Sequence, residues 1–308
     1  MTVRVGVDVG GTTTGVQVFS SSSSLRRQAP TRAGSGRELA EGIACLVEDA
    51  VAEADLGPAD SIGVGIPGQV DPVSGTVRHA VNLGLDGAPL SLAAILSDRL
   101  GVAVAIENDV RAAALGVREH LGVEGSPVDD LVFVSVGTGI SAGVIIGGRL
   151  HRGAHGLAGE IGHAPLADDH TPCRCGLRGC LEAVAAGPAI AAGGAVSAGA
   201  LFGPGSSDDS TARMVATALA RALLVLATTY DPEIFVLGGG IGPHAAPAVR
   251  TALIDVSAAS PFGRALLTPD RVVTLPPGVD VGTIGAALLP TTTMAPGRSG
   301  ARPGGTQP

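Results

Sequence analysis

Apolar residues follow strand spacing over residues 4–8 and again over 15–19, with the glycine pair Gly10-Gly11 between them. Five serines, residues 20–24, follow as a solvated hairpin turn. Residues 37–54 place Leu39, Ile43, Leu46, Val47 and Ala50 on one helical face, with Cys45 expected inside as a small buried thiol. Further strands are predicted over 61–66, closing at Pro67-Gly68, and over 102–106. The second of these opens through Glu107-Asn108-Asp109 onto a helix over 110–120. After a linker at 122–129 the pattern restarts with a strand at 131–136, the turn Gly137-Thr138-Gly139 and a strand at 142–146. Ser210 is expected to cap a helix over 211–229, stopped by Asp231-Pro232. Strand 234–237 then runs into Gly238-Gly239-Gly240. A last helix, at 283–289, precedes a Pro/Gly/Thr tail over 290–308 that is expected to be disordered. The strand-turn-strand opening thus occurs twice, at 4–19 and 131–146, each time around a glycine-rich turn. Such repetition predicts two related α/β halves with a cleft between them.

Composition narrows the chemistry. All 20 basic residues are arginine, and lysine is absent. That excludes a Walker-type phosphate loop, the strand lysine of protein kinases and Schiff-base catalysis. A net charge of −8 and only five Phe and one Tyr also leave little with which to bind or stack nucleic acid, so no such partner is expected. Any phosphate must be held by backbone amides, helix dipoles, arginine or a metal. Two uncharged stretches, 131–148 and 183–207, are long enough to span a bilayer. Glycines interrupt the first, and Pro188 and Pro204 the second, so no membrane partner is expected. Met1-Thr2-Val3-Arg4 runs directly into a strand pattern, and the expected location is the cytoplasm.

Three constellations carry candidate chemistry. Asp8-Val9-Gly10-Gly11-Thr12-Thr13 can be an ordinary hairpin turn, or a turn whose amides and hydroxyls hold phosphate beside an acid suited to hydrated Mg2+. The second copy, Gly137-Thr138-Gly139, and the loop Gly238-Gly239-Gly240 favour phosphate. That loop lacks the spacing and the downstream acid of a dinucleotide fingerprint. His163 with Cys173, Cys175 and Cys180 supplies the Cys3His set of a structural zinc ion. A disulfide would strand one thiol of the cluster, and an iron–sulfur centre wants other spacings. A closed four-ligand site organises a loop and leaves no position open for catalysis. Asp109, at a strand end opening onto a helix, can be a helix cap or a general base for a hydroxyl attacking a phosphoryl group.

Together these residues resemble the ROK family of sugar kinases and repressors. The matching segments are Asp8 to Thr12, Gly63 to Gly68, Asn82-Leu83, Glu107 to Asp109, Val136 to Gly139, Glu160-Ile161-Gly162-His163, Cys173 to Glu182 and Gly238 to Gly240. The resemblance implies an actin-like α/β fold, two ribonuclease-H-like lobes around an ATP and sugar cleft. Residues 1–108 with the returning helix 283–289 would form the small lobe. Residues 109–282, with a zinc loop at 160–182, would form the large one. It further implies ATP, Mg2+ and structural Zn2+ as cofactors, a homodimer, and phosphorylation of a hexose at its 6-hydroxyl, glucose first. Asp109 would be the general base, and Gly65, Asn82, Asn108, Glu160, His163 and Glu182 would contact the sugar. Asp8, Gly10, Gly11, Thr12, Thr13, Gly137, Thr138, Gly139, Gly238, Gly239 and Gly240 would hold the nucleotide.

Departures from the family pattern keep the sugar open. Thr13 stands where lysine is usual, Gly84 to Gly87 lacks the tryptophan of glucose-specific members, and Val110-Arg111 replaces their Ala-Asn. An amino- or N-acetylamino-hexose is therefore the alternative substrate. A sugar-sensing regulator is disfavoured by the intact Asp109 and by the seven residues before Asp8, against the DNA-binding segment of family repressors.

Overall fold

Val5, Val7 and Val9 are fully buried, and the first strand they define lies inside a sheet rather than at its edge. A computed structural model describes residues 2–292, apart from 22, 86, 126, 168–169, 193–196 and 204–209. In the first half, β1 (Arg4–Val9), β2 (Thr13–Phe19) and β3 (Ser24–Pro30) form an antiparallel meander, followed by α1 (Gly36–Ala54). Then come β4 (Ser61–Ile66), the hairpin β5 (Gln69–Asp71) and β6 (Thr76–Arg78), α2 (Leu92–Leu100), β7 (Val104–Asn108) and α3 (Asp109–Val123). The second half holds β8 (Leu131–Val136), β9 (Ile140–Ile146) and β10 (Arg149–His151), then α4 (Glu182–Ala185), α5 (Gly187–Ala192) and α6 (Ala198–Phe202). It continues through α7 (Ser210–Tyr230), β11 (Ile234–Gly238), α8 (Gly242–Ser257), α9 (Pro261–Leu266) and β12 (Val272–Val273). The chain then returns in α10 (Val281–Thr292).

The two five-stranded sheets run in the orders β3-β2-β1-β4-β7 and β10-β9-β8-β11-β12. Both begin with an antiparallel meander around a glycine turn and continue with parallel strands, so the repeat read in the sequence is a repeat of topology. Parallel strands need crossover helices, which is why nonpolar runs rather than strict alternation mark β4, β8 and β11. α10 lies directly on the first sheet and on α3. A Cβ at Gly63 would meet the Ala286 carbonyl at 1.8 Å, and one at Gly285 the Ala112 carbonyl at 1.7 Å. Backbone on both sides cannot yield there, so Gly285→Ala should cost about 3 kcal/mol and lower Tm by about 6–12 °C. An unchanged melting temperature would contradict the α3–α10 contact.

Several boundaries differ from expectation. The strand before Asp109 is shifted two residues, so Asn108 ends β7 and Asp109 opens α3. Ser210 is the first residue of α7 rather than its cap. The last helix runs through Pro290 to Thr292: proline's missing N–H forfeits one bond near the end of a helix whose packing decides its length. The rest of the expected tail, 293–308, lies outside the described residues. Cys45 is half-buried and donates to Glu41 (3.4 Å) instead of packing in the core. Residues 131–148 form the β8–β9 hairpin, and α4, α5 and α6 divide the stretch 183–207. Among the described residues, α7 has the length and apolarity to cross a membrane, and its buried side chains pack into the core of the second half.

Candidate active site

A cavity of about 870 Å3 opens between the halves. Gly10, Gly11, Thr12 and Asn82 reach it from the first half, and Gly137, Thr138 and Gly139 from the second. Asn108, Asp109, Glu160, His163 and Glu182 line it too, with Gln69, His79, Ser135 and Ser141, which the sequence reading did not single out. The first glycine turn is closed by Gly10 N–H donating to the Thr13 carbonyl at 2.9 Å. Thr31, which the sequence reading did not single out, fastens that turn: its hydroxyl donates to the Gly10 carbonyl (2.7 Å) and its N–H to that of Thr12 (2.9 Å). Asn82 lies beside Gly11, where a Cβ would be 3.5 Å from its own.

Asp8, Thr13, Gly65 and Gly238 to Gly240 stand outside this lining. Thr13 is the exposed start of β2. Gly65 is buried beneath the start of α3: a Cβ there would lie 3.4 Å from Asp109 Cα and 3.2 Å from Ala112 Cβ, so glycine lets α3 approach the sheet. The triple glycine packs behind the second turn, with Ile241 N–H donating to the Val136 carbonyl at 2.9 Å. A Cβ on Gly239, whose φ is +75°, would come within 2.4 Å of that same oxygen.

Asp8 lies over the start of α10, where a Cβ on Gly282 would meet its Oδ2 at 2.5 Å. Burial, then the charges of Asp109 and Asp280, push its carboxyl up to about 7, against the pull of Arg26. A buried carboxylate whose charge is opposed by two neighbouring acids is a fitting partner for a divalent cation, which would relieve that opposition.

The capping question at α3 has a definite answer. Asn108, not Asp109, is the N-cap: its Oδ1 accepts from Val110 N–H (3.1 Å) and Arg111 N–H (3.2 Å), and its Nδ2 donates to the Gly68 carbonyl (3.3 Å). With that duty met by its neighbour, the Asp109 carboxylate is left to the cavity. Burial pushes it up to about 6, moderated by the backbone amides of Val110 and Asp109. A base titrating there is ionised at neutral pH yet basic enough to accept a hydroxyl proton.

Opposite, Glu182 opens α4 and its Oε2 accepts from Ile140 N–H at 3.0 Å. That oxygen would be 2.7 Å from a Cβ on Gly139, so the glycine lets the carboxylate seat on the second turn. Just upstream of α4, the ligand atoms of His163, Cys173, Cys175 and Cys180 lie within 4.8 Å of one another. His163 Nδ1 is 3.8 Å from Cys173 Sγ, and the sulfurs of Cys175 and Cys180 are 3.7 Å apart. Tetrahedral zinc with Zn–S bonds of about 2.3 Å sets ligands about 3.8 Å from one another, so the donor set fits. His163 presents Nδ1 to the thiols and also lines the cavity, so one imidazole joins the candidate metal set to the cavity.

Known proteins resemble this chain over most of its length. The chain is 33% identical to a glucokinase of Thermotoga maritima, over 92% of this chain and 96% of that one. It is 34% identical to an N-acetylmannosamine kinase of Escherichia fergusonii, over 77% and 82% respectively. Its structure superposes on a ROK family glucokinase from Streptomyces griseus in complex with glucose and AMPPNP, with a TM-score of 0.70 and 29% identity over 92% and 98% of the chains. The fold is thus the actin-like ATPase fold, with its duplicated sheets on either side of the cleft. The ROK family model matches residues 4–292, nearly the whole described chain, and the protein belongs to the ROK family.

Proposed function

We propose that this protein is an ATP-dependent hexose kinase, transferring the γ-phosphoryl group of ATP to the 6-hydroxyl of a sugar, with glucose as preferred acceptor. The observation that carries the reading is the capping of α3 by Asn108, which leaves a carboxylate of raised pKa in a cavity between two glycine turns. In this reading the amides of Gly10 to Thr12 and of Gly137 to Gly139 hold the phosphates, a role that needs no lysine. Asp8 would hold hydrated Mg2+, which screens phosphate charge when bound. Asp109 orients the sugar hydroxyl and takes its proton. Asn82, Glu160, His163 and Glu182 bind the other hydroxyls, with zinc fixing the imidazole of His163. Gly65 acts beneath the site, bringing Asp109 to the cleft, and the Gly238 to Gly240 loop backs the second phosphate turn.

Residues 1–108 with the returning helix would form one lobe and 109–282 the other. Their closure on sugar expels water, which a kinase must refuse as acceptor. A cytoplasmic homodimer completes the proposal, resting on the family resemblance.

An N-acetylmannosamine kinase is the second reading, favoured by the relative of that name at 34% identity. A panel of hexoses and amino-hexoses with Mg·ATP, read by coupled ADP release, decides between them. Glucose is expected to give the highest kcat/KM. A preference for N-acetylmannosamine would transfer the assignment to the second reading, and no sugar-dependent ADP release would overturn both.

A further inference from the structure

Glu107, Arg111 and Arg152 form a charged group behind the cavity that none of the roles above employs. Glu107, next to last in β7, is fully buried, and Arg111, one turn on in the first turn of α3, is only 3% exposed. Arg111 Nε donates to Glu107 Oε1 (2.9 Å), and its Nη1 to the carbonyl of Gly156 (2.6 Å). Glu107 Oε1 also accepts from the N–H of Asn108 (2.9 Å), the capping residue, and its Oε2 accepts from Arg152 Nε (2.5 Å). Two guanidinium groups therefore share one carboxylate, and Arg152 Nη2 is buried without a partner among the described residues. Such a network is weak evidence for stability, because desolvation of the ions offsets their attraction.

Its connectivity has a different consequence. Gly156 belongs to the segment of the second half that leads through Leu157 to Glu160, both of which line the cavity. The same segment is seated on β9 by Ala142 N–H, which donates to the Gly159 carbonyl at 2.8 Å. Arg111 is thus a direct tie between the helix that presents Asp109 and the segment that presents Glu160.

We propose that Arg111 is a positioning residue whose guanidinium fork sets the distance between Asp109 and the sugar-binding segment, so that the acceptor hydroxyl meets the base. This rests on the kinase reading above. Lysine has no second donor in a fixed plane, so Arg111→Lys can keep the charge but cannot hold Glu107 and Gly156 together. Arg111→Met leaves Glu107 bonded to Arg152 and to the Asn108 amide, so that carboxylate is not orphaned.

The test uses the full chain with glucose and, separately, N-acetylmannosamine, each with Mg·ATP. Arg111→Met and Arg111→Lys should both lower kcat/KM for the sugar by about ten- to a hundredfold, the size of effect that a misplacement near 1 Å produces. KM for ATP should stay within about twofold of wild type. Arg118→Met, a partly exposed arginine on the same helix paired with Asp129, serves as control and should leave the kinetics unchanged. Full activity in Arg111→Lys would overturn the tie in favour of charge alone. Equal losses toward sugar and ATP, matched by a loss of folded protein in a thermal melt, would reduce Arg111 to a structural residue and also overturn it. A wild-type protein inactive with both sugars would instead refute the kinase reading, and the two failures are therefore distinguishable.

Discussion

Asp109→Asn is expected to lower kcat for sugar-dependent ADP release by about 10²–10⁴ while leaving ATP binding intact. The amide keeps the shape of the side chain and can still hydrogen-bond a hydroxyl, so sugar KM should change far less than kcat. What it loses is the capacity to accept the proton. Since the Asp109 carboxyl titrates near 6, wild-type kcat/KM for sugar should fall about tenfold per pH unit below that value. Stability should move the opposite way. Burial raises Asp109 above its unfolded value, so the folded state binds more protons between about 4 and 6 and loses stability as pH rises through that window. Removing the charge should therefore raise Tm above pH 6, by about 2–4 °C for each kcal/mol recovered. A variant that loses activity and gains stability marks a group kept for chemistry. Full activity in Asp109→Asn would remove Asp109 from the mechanism.

Loss of a zinc ligand should have the next largest effect. Cys180 is buried, and its neighbours connect the metal cluster to the cavity: Leu181 N–H donates to the Ala164 carbonyl (3.0 Å), and Glu182 holds the Ile140 amide. Without an ion, three thiols and an imidazole within 4.8 Å have little to join them. Structural zinc in small motifs supplies about 10–16 kcal/mol of binding energy that is also folding energy. Cys180→Ser should therefore reduce bound zinc well below one per chain, lower Tm, and cut kcat/KM for sugar by at least about tenfold. Cys175→Ser, at the exposed ligand, should show the same kinetic loss in a chain that still folds. Because the cluster includes His163 and lies next to Glu182, both proposed above to bind the sugar, KM for ATP should change least. Zinc-free protein with full activity would break this link.

Much of the site was legible because its chemistry is local in the chain. The two glycine turns and Asn108-Asp109 are short consecutive runs, the Cys3His set spans 18 residues, and the fold brings the turns, Asn108, Asp109 and His163 to one cavity. Contacts between distant elements were not legible. Gly65 is expected from the resemblance to contact the sugar, yet its lack of a side chain admits α3, a helix that begins 44 residues later in the chain. Arg111 stood out as a departure from the family pattern, but its partner Gly156 lies 45 residues away, and nothing local names it. Nor does the sequence pattern mark α8. Its alanine-rich sequence carries Pro247 within the helix, and its burial against α7 outweighs that breaker. The division of labour between Asn108 and Asp109 depended on two residues of strand register.

In the proposed reaction Asp109 delivers the 6-hydroxyl of a hexose to the γ-phosphoryl group of ATP. Proton-coupled phosphorus NMR of the product formed from glucose and Mg·ATP is the decisive measurement. Phosphorus on the 6-oxygen couples to the two protons of a methylene group, so the product should give a phosphomonoester triplet for each anomer, absent with Asp109→Asn. A doublet, from an ester on a ring carbon, or free phosphate in place of a sugar ester would contradict it.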